Sequence, residues 1–304
     1  MVVTHGSLQR ARGRCALTIG NFDGVHRGHR ALVDQVIAKA SELQLTSCVL
    51  TFEPHPREFF SPDAAPARLT RLRDKLALLA AAGVERAHIA RFDARFAALS
   101  AQRFIEEVLV RGLGVAWLAV GRDFRFGERR SGDYATLEAA AQRHGFVLEE
   151  MPDVRFEGER VSSSTARAAL AAGALRGAER LLGHPYTISG RVVHGAKLGR
   201  SLGFPTANIV LRRSPPLSGI FVVEVESLGR GVASIGRRPT VNPVPLPLLE
   251  VHLFDGQRDL YGEHLRVRFL KKLRDEKKYG DLAALRQAIA QDTKDARAFF
   301  ETNG

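Results

Sequence analysis

Residues 15–36 read CALTIGNFDGVHRGHRALVDQV, an apolar run that passes into a helical pattern through Asn21, Asp23, Gly24, His26, Gly28 and His29. A helix that starts directly after a sheet strand offers free backbone N–H groups and a positive dipole end, which together attract anions. Gly24 and Gly28 carry no Cβ and let the backbone approach a phosphate closely. Two histidines three residues apart can donate to phosphate oxygens and steady the charge of a phosphoryl transition state. The plain alternative is a pair of capping or surface histidines. Zinc is a poor fit, because HxxH lacks a third ligand and the HExxH glutamate.

Five more stretches carry chemistry. TFEPHP places His55 between two prolines, and VGRDFRFGERRSGD contains Asp123. RVSSSTARAAL sets Ser162, Ser163 and Ser164 ahead of Arg167 at a predicted helix start. In GRSLGFPTANIVL, Pro205 fixes φ, and Thr206 and Asn208 alternate so that both face one side of a strand. A hydroxyl beside an amide oxygen suits magnesium and phosphate oxygens, although a β-edge turn with surface polar residues reads the same way. In PLLEVHLFDG, Glu250, His252 and Phe254 oppose Leu249, Val251 and Leu253. Glu250 is either buried and paired or in water at the mouth of a barrel. Within hydrogen-bond reach of a hydroxyl it can accept the attacking proton.

Stepping along the chain, strand-like runs at Cys15–Gly20, Thr46–Glu53, Arg86–Phe92, Val115–Gly121 and Phe146–Met151 alternate with helical patterns. Those patterns cover 32–43, 72–79 with a stop at Gly83, 104–109 with a stop at Gly112, and 133–144 with Asp133 as N-cap and Gly145 past the end. Such alternation predicts a parallel sheet covered by helices, with ligands at the carboxyl ends of its strands. Past about residue 184 the texture changes to short strands punctuated by Gly and Pro, predicting an antiparallel barrel or sandwich. A helix from Asp281 to about Phe300 closes the chain. The division is therefore 1–184 and 185–304, joined at LLGHPYTISG.

Bulk properties agree with a two-domain globular protein. The chain has 304 residues, 45% of them hydrophobic and 26% charged. Its net charge of +12 favours anionic partners, such as nucleic acid, acidic lipid or phosphorylated small molecules. The basic residues are dispersed, and the densest run, 271–278, is interrupted by acids. Clustered basic helices, zinc spacings and stacking patterns that would mark a nucleic-acid binder do not occur. Cys15 and Cys48 lie in apolar strands and form no CxxC pair, so buried reduced thiols are expected. The N-terminal stretch has no secretory h-region, and the longest apolar run is too short to span a bilayer, which suggests a cytoplasmic chain with no membrane association. Neither GxxxxGK[ST] nor GxGxxG is present.

Taken together, GNFDGVHRGH, TFEPHP, GRDFRFG and the serine-rich turn resemble the adenylyltransferase half of bacterial bifunctional riboflavin kinase/FAD synthetases. PTAN, GIFVVEVE, ASIGRRPTVN, EVHLFD…LYGE and VRFLKKLRDEKKY resemble its kinase half. The resemblance implies a Rossmann-like nucleotidyltransferase domain followed by a Greek-key β-barrel with a C-terminal helix. It implies phosphorylation of riboflavin to FMN, then adenylylation of FMN to FAD and pyrophosphate, each with ATP and Mg²⁺. His26 and His29 would contact the ATP phosphates, and Asn21, Asp23, Gly24 and Gly28 would shape the nucleotide pocket with Asp123. Ser162, Ser163, Ser164 and Arg167 align with the family's Ser-Ser-Thr-x-x-Arg, the usual threonine being Ser164 here. In the kinase half Thr206 would bind magnesium, Asn208 would support the phosphates, and Glu250 would be the base. Gly195, Lys197, Gly199 and Gly203 would lie over the nucleotide, and His55, Arg274 and Glu276 near flavin. Ser234 stands where the family often has asparagine. The implied partners are small molecules only, on a monomer or weak homo-oligomer. The rival within the same family is an FMN adenylyltransferase whose barrel merely senses flavin. Thr206 and Glu250 speak against it, since a sensor needs no base.

Overall fold

The computed structural model describes residues 1–6, 11, 13–195, 199, 202–237, 246–255 and 259–303. It resolves into two compact units, one of Met1–Pro66 and Leu72–Val161, the other of Ala67–Arg71 and Ser162–Gly304.

The first unit is built on six parallel strands: β1 (Val2–His5), β2 (Cys15–Ile19), β3 (Thr46–Glu53), β4 (Arg86–Arg91), β5 (Val115–Gly121) and β6 (Val147–Met151). Their order is β1-β4-β3-β2-β5-β6. From β2 the sheet grows one way through β3 and β4, then reverses to β5 and β6. The switch point therefore lies between β2 and β5, the place where open sheets of this kind bind ligands beyond the strands' carboxyl ends. β2 is buried throughout, as a central parallel strand with both faces covered must be. The main helices are α1 (Arg27–Glu42), α2 (Pro56–Phe60), α3 (Leu72–Ala81) and α4 (Tyr134–His144), with a π-wound segment, Phe104–Leu113, before β5.

One element was not foreseen and one expectation needs correction here. The N-terminal residues include a sheet strand, because Val2–His5 pair with β4 at the edge. Four residues offer too short a pattern to be seen. The helical segment stops at Leu113 rather than Gly112, with Gly114 taking the left-handed turn at φ 69°. Cys15 and Cys48 are buried and free. The Cys15 thiol and the Arg86 guanidinium, whose Nε donates to Cys48 Sγ at 3.4 Å, hold the Cys48 thiol below its ordinary range.

The second unit starts with α5 (Ser163–Ala171) and α6 (Leu175–Leu182), followed by β7 (Thr187–Val193), β8 (Ala207–Val210), β9 (Gly219–Val225), β10 (Gly229–Arg237), β11 (Pro247–Leu253) and β12 (His264–Arg274). These strands close into an antiparallel Greek-key barrel in the order β8-β11-β10-β9-β12-β7. α7 (Leu282–Asn303) follows, its start capped by Asp281 Oδ1, which accepts from Ala284 N at 2.7 Å. Along β11 the alternation holds: Leu249 and Val251 are buried inside the barrel, while Leu248, Glu250 and His252 are half-buried on the outer face. α7 lays Ala296 and Phe300 against a cluster that includes Val222 and Val232. The short segment Ala67–Arg71 joins this unit. Arg71 donates from Nη1 to the Ser189 carbonyl at 2.6 Å and from Nη2 to the Val210 carbonyl at 2.8 Å.

Candidate active sites

The β2–α1 turn builds the first site. His26 is the N-cap of α1 in extended backbone, and its Nδ1 accepts from His29 N at 3.3 Å. The two imidazoles stack with centroids 3.6 Å apart, and Phe22 lies 5.0 Å from the His29 ring. One capping bond thus fixes both rings at the positive end of a sixteen-residue helix. The capping alternative is realised in His26, which caps α1 through Nδ1. Gly28 suits this packing, since a Cβ there would sit 3.2 Å from the His26 ring and push it aside by a few tenths of an ångström. Gly24 has φ 87°, and Asp23 is buried. Asn21 Oδ1 is buried with no hydrogen-bond partner among the described residues, an acceptor facing no protein donor.

The other carboxyl-end residues are placed differently. Asp123 follows β5 at the switch point and is exposed, with Oδ2 3.5 Å from Arg160 Nη2. His55 is buried as the N-cap of α2, its Nδ1 accepting from Arg57 N at 3.1 Å, and Glu58 completes a capping box. Its spacing between prolines is explained by this cap.

The serine-rich turn belongs to the second unit. Ser162 is the N-cap of α5: its Oγ accepts from Thr165 N, and Thr165 Oγ1 accepts from Ser162 N, each at 3.1 Å. Ser162 and Thr165 therefore spend their hydroxyls on the capping box. Ser163 and Ser164 occupy the first turn, with Ser164 exposed. Arg167 was expected at the helix start. It lies instead in the second turn, because the run of three serines supplies the cap earlier, and its Nε donates to the Ala67 carbonyl at 2.7 Å.

The barrel carries the other site. A cavity of ≈ 210 Å³ lies between its outer face and α7. Asn208 on β8 and Ser234 on β10 are the cross-strand neighbours of Glu250 on β11, so the three share one face. Glu250 and Thr206 line the cavity, and Glu250 Oε1 is fully buried. Glu250 thus combines the two sequence alternatives, half-buried on the wall of an open cavity. Thr206 stands just before β8 rather than within it, and Asn208 Nδ2 donates to its carbonyl at 3.2 Å. Gly195 and Gly199 crowd these residues: a Cβ on Gly195 would lie 2.6 Å from the Asn208 amide, and one on Gly199 3.3 Å from Thr206 Oγ1. Gly203 has φ 90°. Lys197 lies outside the described residues. The donor set of one hydroxyl and one amide, with glycine backbone packed close beside them, fits a magnesium ion that takes its remaining oxygens from phosphates and water.

On the far side of the cavity, Arg274 makes a bidentate pair with Asp292 of α7, Nε to Oδ1 at 2.7 Å and Nη2 to Oδ2 at 2.6 Å. Asp292 is buried and, by hydrogen bonding to the guanidinium, raises the Arg274 pKa. The Glu276 carboxylate packs on Gly236, occupying the place of a Cβ. Asp292 and Gly236 were not picked out from sequence. For Asp292 a signal existed: it precedes Ala296 and Phe300 at helical spacing, a carboxylate in line with an apolar stripe.

Known proteins share this organisation. A family model described as FAD synthetase matches residues 8–165, and one described as riboflavin kinase matches residues 182–300. The bifunctional riboflavin kinase/FMN adenylyltransferase of Escherichia coli K12 is 50% identical over 301 residues, covering 97% of this chain and 96% of the relative. The protein of the same description from Haemophilus influenzae is 47% identical over 293 residues, covering 95% of each. A crystal structure named as a macrolide-efflux protein from Streptococcus pneumoniae superposes with a TM-score of 0.79 at 28% identity, covering 98% of this chain and 99% of that one. Among the described residues of this chain no helix is long and apolar enough to cross a membrane.

Proposed function

This chain belongs to the bifunctional riboflavin kinase/FMN adenylyltransferase family, and on that premise we propose which residues carry each of its two reactions. The chain phosphorylates riboflavin to FMN with ATP and adenylylates FMN with a second ATP, releasing pyrophosphate and FAD.

In the kinase reaction Glu250 takes the proton of the riboflavin 5′-hydroxyl as that oxygen attacks the γ-phosphorus of ATP. The bond from the γ-phosphorus to the β–γ bridging oxygen breaks, and ADP leaves. Thr206 and Asn208 hold the phosphates and a magnesium ion, with Gly195, Lys197, Gly199 and Gly203 over the nucleotide. Magnesium, when bound, neutralises the charge that develops on the leaving phosphates. Arg274 and Glu276 border the flavin. The observation that carries this reading is the register that sets Asn208 opposite Glu250 on the cavity face, because it brings phosphate ligand and base to one place.

In the adenylyl transfer an FMN phosphate oxygen attacks the α-phosphorus, and pyrophosphate leaves. No covalent enzyme intermediate is needed, so catalysis is positioning and charge stabilisation. His26 and His29 donate to the leaving phosphates at the N-terminus of α1. Asn21, Asp23, Gly24, Gly28 and Asp123 shape the pocket, and His55 acts near the flavin by capping α2. The role of Ser162, Ser163, Ser164 and Arg167 toward the phosphates follows from motif order alone; Ser162 acts by capping and its two neighbours by contact.

The division of labour falls at 184/185, near the start of the riboflavin kinase match. The chain works in the cytoplasm, where ATP is made and thiols such as Cys15 and Cys48 stay reduced. It acts on small molecules, not nucleic acid, as a monomer or weak homo-oligomer. A time course with purified protein, riboflavin, ATP and Mg²⁺, flavins being separated chromatographically, tests the reading. FMN should rise before FAD, and chelating Mg²⁺ should stop both. Riboflavin that binds yet is never phosphorylated would leave the barrel as a sensor.

A further inference from the structure

The β2–α1 loop holds an uncommon backbone. Phe22 and Val25 have φ of 48° and 40°, with Gly24 at 87° between them. Left-handed values disfavour any side chain, and a β-branched valine most of all. Strain of this kind persists only where its surroundings over-determine it.

Two props do so. One is apolar: Phe22 and Val25 are buried in a cluster with Val33, Val49 and Leu79. The other is polar. Thr51 Oγ1, at the end of β3, donates to the Asn21 carbonyl at 3.2 Å, and Lys75 Nζ donates to Thr51 Oγ1 at 3.2 Å. The direction of this chain is fixed by valence: an ammonium has no lone pair and a carbonyl no proton, so the single Thr51 proton goes to Asn21. Thr51 is 0% exposed and Lys75 only 2%. A lysine rarely lies so deep, because its ammonium must give up water. Lys75 and Leu79 stand four residues apart on α3, so one helical face supplies both props.

We propose that Lys75 is a positioning residue for adenylyl transfer. Through Thr51 it fixes the Asn21 carbonyl, and with it the strained loop that sets His26 and His29. The inference rests on reading the first unit as the adenylyltransferase. It makes α3, which carries none of the sequence motifs, part of the machinery that keeps the histidines in place.

The test uses the full chain with Thr51→Val, Thr51→Ser, Lys75→Met and the Thr51→Val/Lys75→Met pair. FAD formation from FMN and riboflavin phosphorylation are measured on the same preparations, with kcat separated from KM and with melting temperatures. Misplacing a reacting group by about 1 Å can cost on the order of a hundredfold, so each single variant should lose about ten- to a hundredfold in kcat for FAD formation. Thr51→Ser, which keeps the hydroxyl, should restore most of the rate. The double variant should be no worse than the worse single, because both residues act in one chain of bonds. Riboflavin phosphorylation should hold throughout. Losses that multiply, a Thr51→Val enzyme at the wild-type rate, or both activities falling with the melting temperature would overturn the proposal. If Lys75→Met does not fold, the nearly isosteric Thr51→Val decides alone. A wild-type chain that makes no FAD would instead overturn the reading beneath it.

Discussion

Removing the Asp292 carboxylate should loosen α7 from the barrel and open the kinase cavity. Asp292 holds Arg274 through two charge-assisted bonds of 2.7 and 2.6 Å. Breaking a buried ion pair costs about 3–5 kcal/mol, because the surviving charge is left uncompensated. The Arg274 side chain keeps 30% of its surface, so water recovers part of that cost and about 2–3 kcal/mol remains. This is below the 5–15 kcal/mol that typically holds a domain together, so the barrel should stay folded. The same energy changes a docking equilibrium by roughly 30- to 150-fold. Amide hydrogen exchange should then show α7 opening that much more often in Asp292→Ala, while β9 and β10 keep their protection. Riboflavin KM should rise, because Leu285, Ile289 and Asp292 all line the cavity. FAD formation from FMN should not change. Unaltered exchange in α7 together with an unaltered KM would refute the idea that this pair holds the cavity wall.

Other predictions follow from single contacts. His88, buried between Thr4 Oγ1 at 2.8 Å and the Gly6 carbonyl at 3.1 Å, is pushed down by burial to about 4 from 6.5. The unfolded chain binds this proton between pH 6.5 and 4 and the folded chain does not, so the stability it represents, roughly 3 kcal/mol, is full above pH 6.5 and lost as pH falls toward 4. An NMR titration that finds His88 protonating near 6.5 would contradict this. Gly236→Ala should push the Glu276 carboxylate off the cavity wall and raise riboflavin KM without slowing FAD formation; an unchanged KM would mean that Glu276 plays no part in flavin binding. The fragment 162–304 should melt higher than 185–304, because α6 packs on β12 and Glu179 lies 3.6 Å from Arg268; equal melting temperatures would show these helices to be passengers.

Most of the framework is legible because burial writes it into the sequence. The central strands β2 and β5 are nearly continuous apolar runs, and β11 alternates in step with its two faces. The turn at His26–His29 could be read because helix start, glycine spacing and phosphate chemistry coincide in ten residues. What stayed hidden depends on distant partners or on very short elements. β1 has only four residues and finds its place by pairing with β4. Asp292 stands eighteen residues from Arg274, and Lys75 twenty-four from Thr51. In neither case does local pattern show which group the side chain meets. The serine turn was ambiguous for another reason: four neighbouring hydroxyls look alike until the helix start assigns Ser162 and Thr165 to the cap.

The central claim is that one chain holds two separate active sites, and a crossed assay of two variants tests it most directly. His29→Ala and Glu250→Gln are each measured for riboflavin phosphorylation and for FAD formation from supplied FMN. Loss of a transition-state donor costs about a hundredfold or more, and loss of a general base about a hundred- to ten-thousandfold. His29→Ala should therefore keep making FMN while FAD formation collapses. Glu250→Gln should do the reverse, converting supplied FMN to FAD while riboflavin stays unphosphorylated. If either substitution, in a folded chain, depresses both reactions alike, the two sites are not separate and the account is wrong.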